Sequence, residues 1–301
     1  MSLRHVPVLL DAVLESLDPQ PGQTIIDCTT GLGGHSAELL QGIQPGGLLI
    51  GLDFDPHNLE LAYQKLQDTG GKFQLVHSNF AAIGAVLAEM QIAQVDGILA
   101  DLGVASPQID DPDRGFSYRR PGPLDMRMDP TRGQPASALV NRLSEKELRE
   151  AFLELGDETD APQIAKLIVK YRKTKPILTT QDLMAIICEA RDFTLVRAAG
   201  AKLHPAARTF QALRMLVNRE TGNLEHLLKV APAHLKPGGR LAIISFHSGE
   251  DRRVKAALRV GEQDGDYEMI SPEPVTASTE EIAENPRSRS AKLRWAVRTT
   301  T

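Results

Sequence analysis

Ile25-Ile26-Asp27-Cys28-Thr29-Thr30-Gly31-Leu32-Gly33-Gly34-His35-Ser36 decides the fold. It reads as a short apolar strand, a glycine turn, and a helix opening near Ser36. Gly31, Gly33 and Gly34 can take positive φ or let a ligand approach the backbone. The helix start that follows offers unpaired N–H groups and the positive end of a dipole. The next apolar run, Leu48 to Leu52, ends in Asp53. An acid at the end of a second strand is placed to accept hydrogen bonds from ribose hydroxyls. A glycine floor from one strand and a ribose acid from the next point to an adenosine-type cofactor. A tight turn beside a surface aspartate would leave the same residues. The spacing G-x-G-G, with Asp27 closing the first strand, suits S-adenosylmethionine better than a dinucleotide. A diphosphate wants the third glycine of G-x-G-x-x-G, and an amino-acid tail wants a carboxylate for its ammonium group.

Working outward, two further strands follow, Phe73–His77 and Val95–Asp101, with helical patterns over 56–67 and 81–90 between strands. Phe80 stands in a loop where adenine often lies against an apolar side chain; a core packing role fits it equally. The alternation predicts an α/β fold, a parallel doubly wound sheet with its site at the carboxyl ends of the strands. Asp27, Asp53 and Asp101 all fall at such ends. The Pro-Gly pairs at 21–22, 45–46 and 237–238 announce strands. Upstream, residues 7–17 read as an amphipathic helix. His5 before it faces the pocket or lies on the surface.

After Asp101 the alternation stops. Residues 102–135 form a Gly-, Pro-, Asp- and Arg-rich stretch without periodicity, long enough to be functional. Ser144 and Glu147 make a capping box for a helix to about Leu155, and helical patterns over 160–172 and 180–191 follow. The sequence divides into a sheet domain, 1–107 and 206–301, and an inserted helical domain, 108–205. A long helix from the 204–214 stretch to Leu228 or beyond, a buried strand over 240–245, a helix over 250–260, a loop over 271–286 and a closing strand over 292–298, with Leu293, Trp295 and Val297 on one face, complete the sheet domain.

The 301 residues carry a net charge of −5, which argues against broad non-specific nucleic-acid binding but permits a local basic patch. Two candidate patches exist. Lys170, Arg172, Lys173 and Lys175 read better as a solvated face, and Arg287, Arg289, Lys292, Arg294 and Arg298 read better as phosphate contacts. Cys28 and Cys188 are the two cysteines, with no disulfide or zinc pattern, so a reducing cytoplasm is expected. The eight histidines show no ligand spacing, and no metal is expected. The chain lacks a membrane-length apolar run and a signal-peptide layout at its start.

The sequence resembles the bacterial small-subunit ribosomal RNA cytosine-N4-methyltransferases, the RsmH or MraW family. The resemblance runs through HVPVLL at 5–10, DCTTGLGGHS at 27–36, DGILADLGVASPQID at 96–110, RGFS at 114–117, GPLDMRMD at 122–129, TFQALRMLVN at 209–218, GGRLAIISFHSGEDR at 238–252 and NPRSRSAKLR at 285–294. It implies a Rossmann-like class I methyltransferase sheet with an inserted all-helical domain. It also implies S-adenosylmethionine as cofactor, held by Gly33, Gly34, His35, Asp53, Phe80, Asp101 and Gln108. Ala105, Gly249 and Phe54 depart from the family's usual Ser, Leu and Arg, and none is one of those contacts.

The implied reaction is methylation of cytidine N4 in 16S ribosomal RNA within a ribosomal particle; a homodimer stays open. An acid or amide followed by Pro-Pro-aromatic is common in amino-methyltransferases. Here Asp101-Leu102-Gly103-Val104-Ala105-Ser106-Pro107 stands instead. Asp101 is the best-placed acceptor for the target amine and serves the cofactor equally well. Arg114, Arg127, Arg208, Arg214 and His247 are substrate candidates beside the site, with Arg287 and Arg289 farther along. RNA is expected to enter between the two domains. The rivals are an NAD-dependent oxidoreductase, disfavoured by the glycine spacing; a non-catalytic RNA-binding assembly factor, disfavoured by the three strand-end acids; and a methyltransferase acting on another RNA, a protein or a small molecule.

Overall fold

The structure, a computed structural model, describes residues 7–193 and 204–300; His5 lies outside them. In chain order the elements are α1 (Leu10–Leu17), β1 (Thr24–Asp27), α2 (Gly34–Gly42), β2 (Leu48–Asp53), α3 (Pro56–Gln67), β3 (Lys72–His77), α4 (Ile83–Glu89), β4 (Val95–Asp101) and α5 (Ser106–Asp110). Then come α6 (Ala136–Arg142), α7 (Glu145–Gly156), α8 (Ala161–Tyr171), α9 (Thr180–Ala190), α10 (Ala207–Asn218), α11 (Glu220–His234) and β5 (Leu235–Ser245). Last are α12 (Ser248–Gln263), β6 (Tyr267–Ile270), β7 (Val275–Thr276), α13 (Thr279–Glu284) and β8 (Lys292–Arg298).

The strands form one sheet in the order β3-β2-β1-β4-β5-β8-β6, with β7 also on β8. The first five are parallel, and β8 runs antiparallel to both β5 and β6. This is the doubly wound, Rossmann-like α/β sheet that the alternation predicts. Strands buried on both faces need continuous apolar sequence. Ile25 joins a core with Leu39 and Leu40 of α2, Ile43 just after it, Leu66 of α3, and Val13 and Leu17 of α1. Ile26, one residue on, faces the opposite core with Leu87 of α4, Leu227 of α11 and Val254 of α12. The strand order reverses between β1 and β4, which opens the crevice where ligands bind such sheets.

The chain divides into two compact units, 1–103 with 221–301, and 104–220. The second has its own core, built by Val140 of α6, Leu148 and Phe152 of α7, Ile164 and Ile168 of α8, Leu183 and Ile187 of α9, and Phe210 and Leu213 of α10. The expected return at 206 differs from the division after Glu220, because α10 packs on α7. A Cβ on Gly156 would fall 2.6 Å from the Arg208 carbonyl oxygen, so glycine there lets the two helices approach. Capping boxes at Ser144/Glu147 and Thr179/Asp182 open α7 and α9.

Several expectations are corrected. The single long helix to Leu228 is two helices, broken at Arg219, whose φ of 53° is left-handed. The 271–286 loop contains β7 and α13, and β6 lies in a stretch to which the sequence reading assigned no element. The stretch 102–135 contains α5 and a 3-10 turn over Pro112–Arg114. The last strand is not buried on one alternating face. Leu293 and Ala296 are buried in opposite cores while Trp295 and Val297 are half-buried, because β8 lies between β5 and β6.

Candidate active site

In the sheet unit, Asp27, Asp53 and Asp101 end β1, β2 and β4 at the carboxyl edge. The glycine turn closes over this edge with Gly31 at φ 53° and Gly33 at φ 75°. Gly33 is also needed for packing, since its Cβ would fall 3.2 Å from Ala62 Cα of α3. Gly34 carries the tighter demand, 2.6 Å from Pro7 Cγ. A Cβ on Gly31 would meet nothing closer than 3.7 Å, so that side of the turn is open.

Asp53 is half-buried. Its Oδ2 accepts from Gly31 N at 2.7 Å, and its Oδ1 from Asp55 N at 2.8 Å and Asn58 Nδ2 at 3.3 Å. It therefore ties the turn to the start of α3, where Asp55 caps the helix by accepting from His57 N. Burial pushes its carboxyl up to about 6 against these hydrogen bonds.

Asp27 corrects an expectation. Its carboxylate is buried, with Oδ2 accepting from Ser36 Oγ at 2.6 Å and Oδ1 from Thr29 N at 3.0 Å. It anchors the turn to the first turn of α2 and contributes a negative field rather than a hand for a ligand. Burial raises its pKa.

Asp101 N donates to Thr29 Oγ1 at 2.6 Å. Its Oδ2 lies 3.7 Å from Nε2 of buried His35, and its Oδ1 is buried without a hydrogen-bond partner. Burial, then the charges of Asp27 and Glu250, push Asp101 up to about 8. Glu250 is a residue that sequence reading passed over. It is buried in the first turn of α12, where Oε2 accepts from Phe246 N at 2.9 Å and Oε1 pairs with His247 Nε2 at 3.1 Å. His247 is the N-cap of that helix, accepting from Glu250 N at 3.4 Å. The register Asp101↔Ile244 brings the end of β5 beside Asp101. The only sequence signal for Glu250 was an acid just after a strand end.

Phe80 opens a 3-10 turn just after β3 and packs half-buried against the core beneath. Thus Gly33, Gly34, His35, Asp53, Phe80 and Asp101 share the carboxyl edge of one unit. Gln108 belongs to the other, where it is buried and caps α5 by accepting from Ala105 N at 2.9 Å.

The arginine candidates of that unit are tied into its framework. Arg127 makes a two-pronged pair with Asp125, at 2.8 and 2.7 Å, and Arg214 another with Glu220, at 2.8 Å each. Arg114 donates to the Arg127 and Met128 carbonyls, and Arg208 to that of Asp157.

The C-terminal basic run is split. Lys292 and Arg294 both pair with Asp251, Arg294 buried at 2.6 Å, and Arg298 pairs with Asp266. These three hold the fold together, correcting their reading as phosphate contacts. Arg287 and Arg289 stay exposed on a 3-10 turn over Pro286–Ser290. Because Lys292 pairs with Ser245, that turn stands at the carboxyl edge of the sheet. In the 170–175 cluster, Arg172 donates to the Val140 and Leu143 carbonyls and Lys175 pairs with Asp182.

Among the described residues no group of three or more His, Cys, Asp and Glu could hold a metal ion, and no helix is long and apolar enough to cross a membrane.

Comparison with known proteins agrees with the resemblance. Relatives named "Ribosomal RNA small subunit methyltransferase H" are 44% identical in Acidobacterium capsulatum, over 97% of this chain and 98% of the relative, and 44% identical in Symbiobacterium thermophilum, over 99% and 98%. In Nitratidesulfovibrio vulgaris such a relative is 46% identical over 98% of this chain and 85% of its own length. The model of the MraW methylase family matches residues 2–299, spanning the glycine turn, the strand-end acids and the basic turn before β8, and the chain belongs to that family.

Proposed function

We propose that this protein methylates N4 of a cytidine in small-subunit ribosomal RNA with S-adenosylmethionine as donor. The observation that carries the reading is the family match across nearly the whole chain, joined to the acid-lined carboxyl edge. The residues fit the cofactor. Asp53 Oδ2 accepts one hydrogen bond and keeps a lone pair for a ribose hydroxyl, Gly31 leaves its side of the turn open, and Asp101 Oδ1 lacks a partner. Buried carboxylates are costly as anions, and a cationic ligand offsets that cost. S-adenosylmethionine supplies, when bound, an electrophilic methyl group on a sulfonium.

The chain must hold the amine in line with that methyl. Positioning of this kind supplies roughly 7–11 kcal/mol of barrier lowering. The N4 lone pair is conjugated into the ring, so the nitrogen must pyramidalise and shed one proton as it is alkylated. Asp101 Oδ1 is the acceptor we assign for that N–H, with His35 beside Oδ2 holding the carboxyl. His247, in the same unit as the acids, orients Glu250, while Gln108, Arg114, Arg127, Arg208 and Arg214 brace the framework of the second unit.

The finer reading is a substrate presented inside a ribosomal particle, in the cytoplasm. A net charge of −5 disfavours gripping free RNA by charge alone. Mass spectrometry of ribosomal RNA nucleosides from cells with and without the protein tests the function. Loss of N4-methylcytidine on removal is expected, and an unchanged nucleoside profile rejects it.

A further inference from the structure

The segment Arg114-Gly115-Phe116-Ser117-Tyr118-Arg119-Arg120 lies in the second unit. The backbone is pinned on both sides of its aromatics. A Cβ on Gly115, at φ 69°, would fall 2.1 Å from the Pro123 carbonyl oxygen. A Cβ on Gly122 would fall 1.9 Å from that of Pro112. Chain crossings this close exclude any side chain. The far end is held to α9, where Thr180 N donates to the Gly122 carbonyl at 3.0 Å and Thr180 Oγ1 to that of Arg120. Arg120 itself is committed to Asp110. The loop between these anchors is rigid by construction.

The loop presents rings. Tyr118 is stacked on His204 at 4.3 Å between centroids and 19° between planes, and meets Phe210 edge-on at 5.7 Å. Burial and the nearby Arg119 lower the pKa of His204. The Arg119 guanidinium lies 5.9 Å from the Tyr118 ring centre. Arg119 is exposed and makes no ion pair among the described residues. Aromatic residues are only 4% of this chain, yet two of them, half-buried, stand here among three arginines.

We propose that Arg119, braced on Tyr118 and His204, is a stacking platform for one unpaired base of the substrate RNA. The proposal rests on the reading that the substrate is RNA and adds a specific contact to it. Single-stranded RNA is recognised by stacking bases on aromatic rings and guanidinium planes. Charge does not drive this contact: Asp110, Asp111 and Asp113 match Arg114, Arg119 and Arg120. A planar guanidinium is therefore what matters, and lysine cannot replace it.

The test uses the full-length protein and a single-stranded RNA oligonucleotide carrying 2-aminopurine, whose fluorescence is quenched by stacking. Arg119→Lys keeps the charge and, being exposed, the fold, which thermal melting checks. We expect it to lose the quenching and to bind about 5- to 150-fold more weakly, the range one base stack supplies. Tyr118→Phe keeps the ring and should match the parent. An unchanged quench in Arg119→Lys overturns the proposal, as does a parent protein that binds the oligonucleotide without quenching it. Methyl transfer by the parent protein, measured separately, decides the underlying reading whatever the platform does.

Discussion

Asp53 and Asp101 differ in what their oxygens already do. Asp53 accepts backbone hydrogen bonds on both oxygens and holds the glycine turn in shape, so its negative charge is shared with the fold. Replacing it by Ala removes charge-assisted bonds worth about 1.5–3 kcal/mol each. S-adenosylmethionine affinity by calorimetry should fall at least tenfold, and an unchanged affinity would detach Asp53 from the ribose. Asp101 is raised to about 8, so its folded carboxyl holds a proton that the unfolded chain releases near 3.8. Stability from this group is full at low pH and is lost as pH rises through about 8. The melting temperature of ligand-free protein should therefore decline between about pH 4 and 8, and Asp101→Asn should flatten that decline. Binding of a cationic cofactor near pH 7 should expel the proton. Calorimetry in buffers of different ionisation enthalpy reads that release, which Asp101→Asn should abolish.

Among the elements, the glycine-pinned loop of the second unit is the least forgiving. Gly115 sits at positive φ with the Pro123 carbonyl where a side chain would go. Gly115→Ala adds backbone strain of order 1–3 kcal/mol and forces the crossing apart. The expected result is a lower melting temperature with S-adenosylmethionine affinity intact, because the strand-end acids of the other unit are untouched. A variant as stable as the parent would mean that the crossing relaxes freely. The α10–α11 break is the opposite case. Arg219 turns left-handed with neither Gly nor Pro to announce it, while Arg214 spans the break to Glu220.

For the whole molecule, charge is the governing quantity. The chain is acidic overall, and Arg127, Arg214, Lys292, Arg294 and Arg298 are paired with Asp125, Glu220, Asp251 and Asp266. Arg287 and Arg289 are exposed on a turn at the carboxyl edge. Removing both to Ala should weaken RNA binding and lower the salt slope by about 0.7 for each phosphate that the turn neutralises. The measurement is RNA affinity across a salt series, with S-adenosylmethionine affinity as control. A slope equal to the parent's would remove this turn from the RNA surface.

Local rules carried the sequence reading a long way. Strand ends, the glycine turn and the capping boxes depend on residues close in sequence. Period-two and period-3.6 patterns report burial directly, so Asp27, Asp53 and Asp101 could be placed at one sheet edge from sequence alone. The helical stretch after Asp101 was legible for the same reason. What tertiary structure alone decided is how charged side chains are spent. Asp27 is consumed by Ser36 across a turn, and Lys292 and Arg294 by Asp251 on another element. Glu250 joins the acids only because β5 pairs beside β4. The burial of β8 on both faces follows from its insertion between β5 and β6, which no periodicity within seven residues can encode. Partners distant in sequence meet through register and packing, and a carboxylate's role is set by which donors reach it.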